Sequence, residues 1–216
     1  MENLIVKNQK KSLSEMAYLS IKESIINGRL KPGEELNECN IAEELSISRT
    51  PLRSALNRLH AEGLVRITPN KGCAVRKLDL KEIVEITQVR EALEGMVARL
   101  ACDRISKKEL NEVISWFPSF DRELNETDFA ASYDAGIKMH NYLREKSNNH
   151  IIQKQLAFID MQIKLVAQMS TEVPGRSELA HKEHKEIIDA LVAKDPELAE
   201  EKMRSHIRNV RMSFML

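Results

Sequence analysis

Residues 41–59 constrain this chain more than any other stretch, because they read as two short helices joined by a tight turn. Ile41, Ala42 and Leu45 form one apolar face, and Leu52, Ala55, Leu56 and Leu59 form a second at helical spacing. Ile47 falls in the turn, where a buried aliphatic would pin the two helices at a steep angle. Ser48 is placed to cap the second helix, and Pro51 falls in its first turn, whose amides lack acceptors in any case. The outward positions are Arg49, Thr50, Arg53, Asn57 and Arg58, with no acidic residue before Glu62. A helix that lies in the DNA major groove needs such a face. The bland alternative is a surface helix with incidental arginines.

The flanks agree with the first reading. A helix is expected over 13–27, with Met16, Leu19 or Ser20, Ile21 and Ile25 inward and Gly28 to end it. Lys31-Pro32-Gly33 is a turn, Leu36 re-enters the core, and Asn37 caps the next helix. Residues 64–68 and 73–76 alternate as strands about the turn 69–72. Helix, helix-turn-helix and hairpin make a winged helix with Lys71 and Gly72 at the wing tip. Beyond Asp79 no strand is convincing. Helices are expected over 79–103, 106–124, 127–146, 149–170, 175–194 and 196–214, with Asp79, Ser106, Thr127, Asn148 and Asp195 as caps. The expected fold is therefore mainly α, a winged helix-turn-helix over 1–77 and an antiparallel six-helix bundle over 78–216.

Charge supports that division only weakly. Lys+Arg and Asp+Glu are both 33 in the 216 residues, so the whole chain is neutral. Residues 1–77 carry 13 basic and 9 acidic side chains, which makes the first module mildly basic and the rest mildly acidic. Cys39, Cys73 and Cys102 are an odd set without CxxC spacing, which argues against a disulfide framework and for a reducing compartment. With no signal-peptide pattern and no membrane-length apolar run, a cytoplasmic protein without membrane contact is expected.

Three histidines interrupt apolar stripes on different bundle helices. His140 follows Phe129, Tyr133 and Ile137; His184 precedes Ile187, Ile188 and Leu191; His206 lies between Met203 and Val210. Each is either a hydrogen-bonded core histidine or one of three imidazoles converging on a divalent metal, zinc or nickel being suited to such donors. Arg90 likewise interrupts the stripe Ile83, Ile86, Leu93, Val97. A buried guanidinium must be paired, either by an internal carboxylate such as Glu94 or by the carboxylate of a small effector. Trp116, Phe117 and Phe120 read as core or dimer surface, His60 and His150 as solvent-facing.

Gly28 to Gly33, Ser48-Arg49-Thr50-Pro51-Leu52-Arg53, Ala55-Leu56 and Glu62-Gly63-Leu64-Val65 together resemble the GntR-type winged-helix repressors. Residues 89–94, Ser147-Asn148-Asn149, Glu183-His184 and His206 look like the FadR-like branch with an all-helical effector domain of the FCD type. The resemblance implies a homodimeric regulator, with Arg49, Arg53, Ser48, Thr50, Asn57 and the wing residues Lys71 and Gly72 on double-stranded DNA bearing an inverted repeat. It also implies an organic-acid or sugar-acid effector near Arg90 and Asn149. Two departures stand out. Some relatives carry a basic residue where this chain has Cys39, and the metal-binding relatives place an aspartate four residues before the first histidine, where this chain has Gly136. Asp134 is about 120° off that face by helical geometry, so it substitutes only if the helix is distorted; His181 is another substitute. The expected function is a bacterial transcriptional regulator, repressor in sign. Its rivals are a metal-dependent hydrolase built on the three histidines and an effector-less DNA-binding scaffold.

Overall fold

The computed structural model describes residues 12–69, 72–117 and 128–215. Contacts divide the chain into two units, Met1–Leu78 and Asp79–Leu216, one residue later than the sequence reading placed the division.

The first unit runs α1 (Leu13–Ile26), β1 (Glu35–Leu36), α2 (Glu38–Glu44), α3 (Arg49–Ala61), β2 (Val65–Thr68) and β3 (Gly72–Val75). Its strands are antiparallel in the order β1-β3-β2, with Thr68 opposite Gly72 and Leu36 opposite Cys73. The hairpin follows the alternation in the sequence. β1 does not, since two residues are too short to show a period. On α1 the buried residues are Ala17, Tyr18, Ile21 and Ile25, whereas Met16, expected inside, is exposed. Tyr18 takes the interior place because its hydroxyl has a partner there, donating to Glu62 at 2.7 Å, while Lys22 also donates to Glu62 at 2.9 Å.

The turn between α2 and α3 is closed by backbone bonds from Ser46 to Glu43 (3.0 Å) and from Ile47 to Ala42 (2.9 Å). Ser46 adopts the left-handed conformation, φ 52°, that usually falls to glycine at this point. At the far end of α3 Gly63 does take that place, φ 74°, and delivers Leu64 into the core. Leu52, Ala55, Leu56 and Leu59 are fully buried, so one side of α3 is committed to the core and the other faces outward.

The second unit is helical throughout its described residues: α4 (Leu80–Cys102), α5 (Lys107–Ser115), α6 (Phe129–Lys146), α7 (His150–Phe158), α8 (Asp160–Thr171), α9 (Arg176–Val192) and α10 (Pro196–Met212). Capping boxes start α4 at Asp79 with Glu82 and α5 at Ser106 with Glu109. Thr127 lies outside the described residues, as does Phe120, and α6 is capped by Asp128. Asn148 adopts φ 51° and turns the chain, leaving Asn149 to cap α7. The expected helix over 149–170 is two helices, broken at Ile159. The break sets Asp160 at 3.2 Å from Arg144 and 2.7 Å from Lys164. α4 packs chiefly along α10 and also meets α6, α7 and α8, so a residue on its inner face looks across the bundle. No helix among the described residues is long and apolar enough to cross a membrane.

Candidate nucleic-acid interface and metal centre

The outward side of α3 carries Arg49, Thr50, Arg53 and Asn57, all exposed. Ser48 stands at the cap position with extended backbone, yet its hydroxyl makes no bond to the helix, so the expected cap is not made. Arg53 Nε donates to Glu38 at 2.9 Å and Arg49 Nη2 contacts Cys39 Sγ at 2.9 Å. The first two residues of α2 therefore each touch one arginine of α3. Arg58 is exposed, as read from the sequence, but its guanidinium lies 3.6 Å from the Tyr18 ring and pairs with Glu15 and Glu62, which braces α3 on α1. Gly72 opens β3 and is exposed; Lys71 lies outside the described residues.

In the second unit His140 from α6, His184 from α9 and His206 from α10 come together, all buried, with donor nitrogens within 4.8 Å of one another. His184 and His206 are closest, ring centroids 4.7 Å apart. Burial pushes the His140 imidazole down to about 4, holds His184 well below its ordinary value and lowers His206. All three are consequently neutral near pH 7, the form in which imidazole donates a lone pair to a metal. His206 Nδ1 lies 2.7 Å from Glu183, which leaves Nε2 for the centre. His140 Nδ1 is 3.4 Å from Glu94, an attractive distance without hydrogen-bond alignment. Both nitrogens of His140 and Nδ1 of His184 lack a hydrogen-bond partner among the described residues. Buried polar atoms of this kind ordinarily find one, so the donor set fits a divalent cation.

A cavity of about 60 Å³ adjoins the triad and is lined also by Arg90, Arg176 and Tyr133. Arg90 is buried and 3.6 Å from Glu94, with its Nε lacking a hydrogen bond. Glu94 is held more closely by Arg144, through Nη2 and through Nε at 3.1 Å. Burial alone would raise the Glu94 pKa, but attraction to His140, Arg144 and Arg90 outweighs it and holds the carboxyl far below its usual range. Since His140 is uncharged at neutral pH, the two guanidiniums carry that stabilisation there. Arg176 Nη2 binds Glu183 and lies 3.5 Å from His206, while its Nε and Nη1 have no hydrogen-bond partner.

Arg176 and Arg144 are not singled out by the sequence, and Glu183 enters there only as the neighbour of His184. Arg176 had a signal: a cation at the first helical position opposes the helix dipole and needs a local reason. Glu183 serves His206 on another helix. Three sequence candidates fall elsewhere. Asp134 is exposed and outside the cluster, because α6 runs regularly through it. His181 is buried against Ser132 Oγ at 2.7 Å, also outside the cluster. Asn149, expected near the effector, spends its side-chain oxygen on the Ile152 amide at 3.1 Å and does not line the cavity.

The metal-free protein is expected to lose stability as pH falls from about 6.5 towards 4. The folded state prefers neutral imidazoles, so the unfolded chain binds protons first, and the contribution present above 6.5 is lost over that interval. Thermal melts of chelator-treated protein across this range check it; a flat profile would show that the imidazoles are not desolvated.

Residues 13–75 match the model for bacterial regulatory proteins of the gntR family, and residues 85–209 match the FCD domain. The chain is 32% identical to a probable D-xylose utilization operon transcriptional repressor of Paenarthrobacter nicotinovorans, over 85% of this chain and 80% of that one. It is 31% identical to the Nta operon transcriptional regulator of Aminobacter aminovorans, over 77% of each. Among solved structures, E. coli McbR/YncC (TM-score 0.74, 23% identity, 94% and 98% of the two chains) shares the fold. So does a GntR regulator from Rhodococcus sp. RHA1 (TM-score 0.76, 21% identity, 94% and 97%). The winged helix-turn-helix followed by an FCD domain places this chain in the GntR family of DNA-binding transcriptional regulators.

Proposed function

We propose that this regulator is a cytoplasmic homodimeric repressor that reads an inverted-repeat operator. Arg49, Thr50, Arg53 and Asn57 meet the bases and phosphates, Ser48 offers a free hydroxyl to the backbone, and the hairpin tip with Gly72 and Lys71 meets the minor groove. A small carboxylate effector binds in the cavity beside Arg90 and Arg176 and weakens operator affinity. His140, His184 and His206 hold a divalent cation there, zinc or nickel, which supplies an electrophilic anchor for the effector's oxygens.

One observation carries this reading: three buried imidazoles, and two buried guanidiniums with N–H groups unpartnered among the described residues, line one small cavity. Arg90 has its internal partner in Glu94, but Arg144 is the closer cation on that carboxylate, which leaves Arg90 capacity for a second anion.

Fluorescence anisotropy on a duplex selected in vitro from a random pool tests it. Acids of the right class should release the wild type from that duplex and raise its melting temperature by mass action. Arg90→Met should bind the duplex as wild type does and lose the response. A panel of small acids that moves neither quantity, with metal supplied, would favour the effector-less scaffold.

A further inference from the structure

Gly136 lies on α6 one turn before His140 and lines the cavity. A Cβ built there would overlap His184 Cε1 and lie 3.0 Å from both ring nitrogens. The His184 ring thus fills the space through which a side chain from this turn would reach the centre. Of the nearby carboxylates, Glu183 is held by Arg176, His206 and Asn209 (2.8 Å), and Glu94 by Arg144 and Arg90 through Oε1, while its Oε2 lies 3.4 Å from His140 Nδ1 with no hydrogen-bond partner among the described residues. Among the described residues no Asp or Glu joins the three histidines.

We infer that Gly136 makes cation binding in this protein depend on the effector, which is a chelating acid such as a 2-hydroxy or 2-oxo carboxylate. The inference rests on the metal-and-effector reading above. Three neutral imidazoles bring no negative charge, and an ion held by three protein donors keeps a position open. Burying a dication without a counter-charge is costly. Glu94 is shared with Arg90 and Arg144, and Glu183 with Arg176, so these carboxylates leave little net charge to offset the ion. A chelating acid brings the missing charge and two oxygens in one molecule small enough for the cavity. Its remaining oxygen can accept from the unpartnered Arg176 Nε or Nη1, or from Arg90 Nε. Coupling is reciprocal, so the acid tightens the metal by the same factor as the metal tightens the acid.

The test measures zinc(II) and nickel(II) affinity of the full-length, chelator-stripped chain by competition with a coloured chelator. It is run alone, with glycolate as the two-oxygen probe, and with acetate as the one-oxygen control. Glycolate should tighten metal binding about tenfold or more, and acetate far less. Weak binding of glycolate to free metal works against this effect, so a measured gain is a lower bound. Metal binding that is tight and indifferent to glycolate overturns the inference while leaving the metal site standing. Metal binding under no condition overturns both. Gly136→Asp crowds the His184 ring as Gly136→Ala does but brings a carboxylate to this turn, so without glycolate its metal affinity should exceed that of Gly136→Ala, and its dependence on glycolate should shrink relative to wild type. Gly136→Ala repeats the crowding of His184 without the charge and should lose metal. A folded Gly136→Asp protein with wild-type dependence on glycolate would remove Gly136 from the account.

Discussion

Replacing Glu94 by Gln is expected to destabilise the helical domain by about 3 kcal/mol, at the lower end of the range for breaking a buried ion pair. Glu94 is fully buried, with Arg144 bound to one oxygen, Arg90 Nε at 3.6 Å and His140 Nδ1 at 3.4 Å. Glutamine keeps the shape and an accepting oxygen but removes the charge. Arg144 retains Asp160 at 3.2 Å, whereas Arg90 has no other ion pair among the described residues and keeps its charge in the interior. For a domain of this size the loss lowers the melting temperature by roughly 10 °C. A double variant, Glu94→Met with Arg90→Met, should recover part of it, because an apolar pair carries no unpaired charge. The acid limb provides a second sign. The folded carboxyl titrates below the unfolded one, so its contribution is present above the ordinary carboxylate range and lost as pH falls through the folded value. Glu94→Gln should therefore show a flatter acid limb than wild type. A loss under about 1 kcal/mol in urea melts would mean that the guanidiniums are satisfied without Glu94.

Much of this architecture is legible in the chain itself, and the reasons differ by element. The winged helix is readable because its signals are local: helical spacing of Leu52, Leu56 and Leu59, alternation after Leu64, and Gly63 at a left-handed helix end. The three histidines are readable because each breaks an apolar stripe at helical period. What joins them is not, since Glu183 reaches His206 from a different helix and Arg144 reaches Glu94 across 50 positions. Such pairings are properties of packing, and no local period encodes them. The break at Ile159 has the same character: an apolar residue within a helical pattern, with Asp160 drawn to Arg144 across the bundle. Asn149 errs in the opposite direction. A residue that looks recognitive in a motif is used up by the nearest amide needing an acceptor.

On DNA, Arg53→Ala should weaken retention of a selected operator about 10- to 100-fold, the discrimination a well-placed guanidinium supplies at a guanine edge. Loss of comparable size on unrelated duplexes would make Arg53 a phosphate contact instead. The neighbouring carboxylate separates these cases further. Glu38 stands at the start of α2 and accepts from Arg53 Nε at 2.9 Å, with Arg53 65% exposed and Glu38 28% exposed. A surface pair so open adds little stability, and an acidic group beside phosphates repels them. Its benefit lies in orientation, because occupying Nε leaves the two terminal nitrogens of Arg53 to point outward as a fork. Glu38→Gln should therefore bind unrelated duplex more tightly, through lost repulsion, while its preference for the operator falls several-fold. The salt dependence on both duplexes should stay near wild type, since the count of basic contacts is unchanged. Competition assays that report operator affinity and unrelated-duplex affinity separately decide the matter. If Glu38→Gln raises both equally, the carboxylate is only a repulsive charge and the orientation of Arg53 is set by α3 alone.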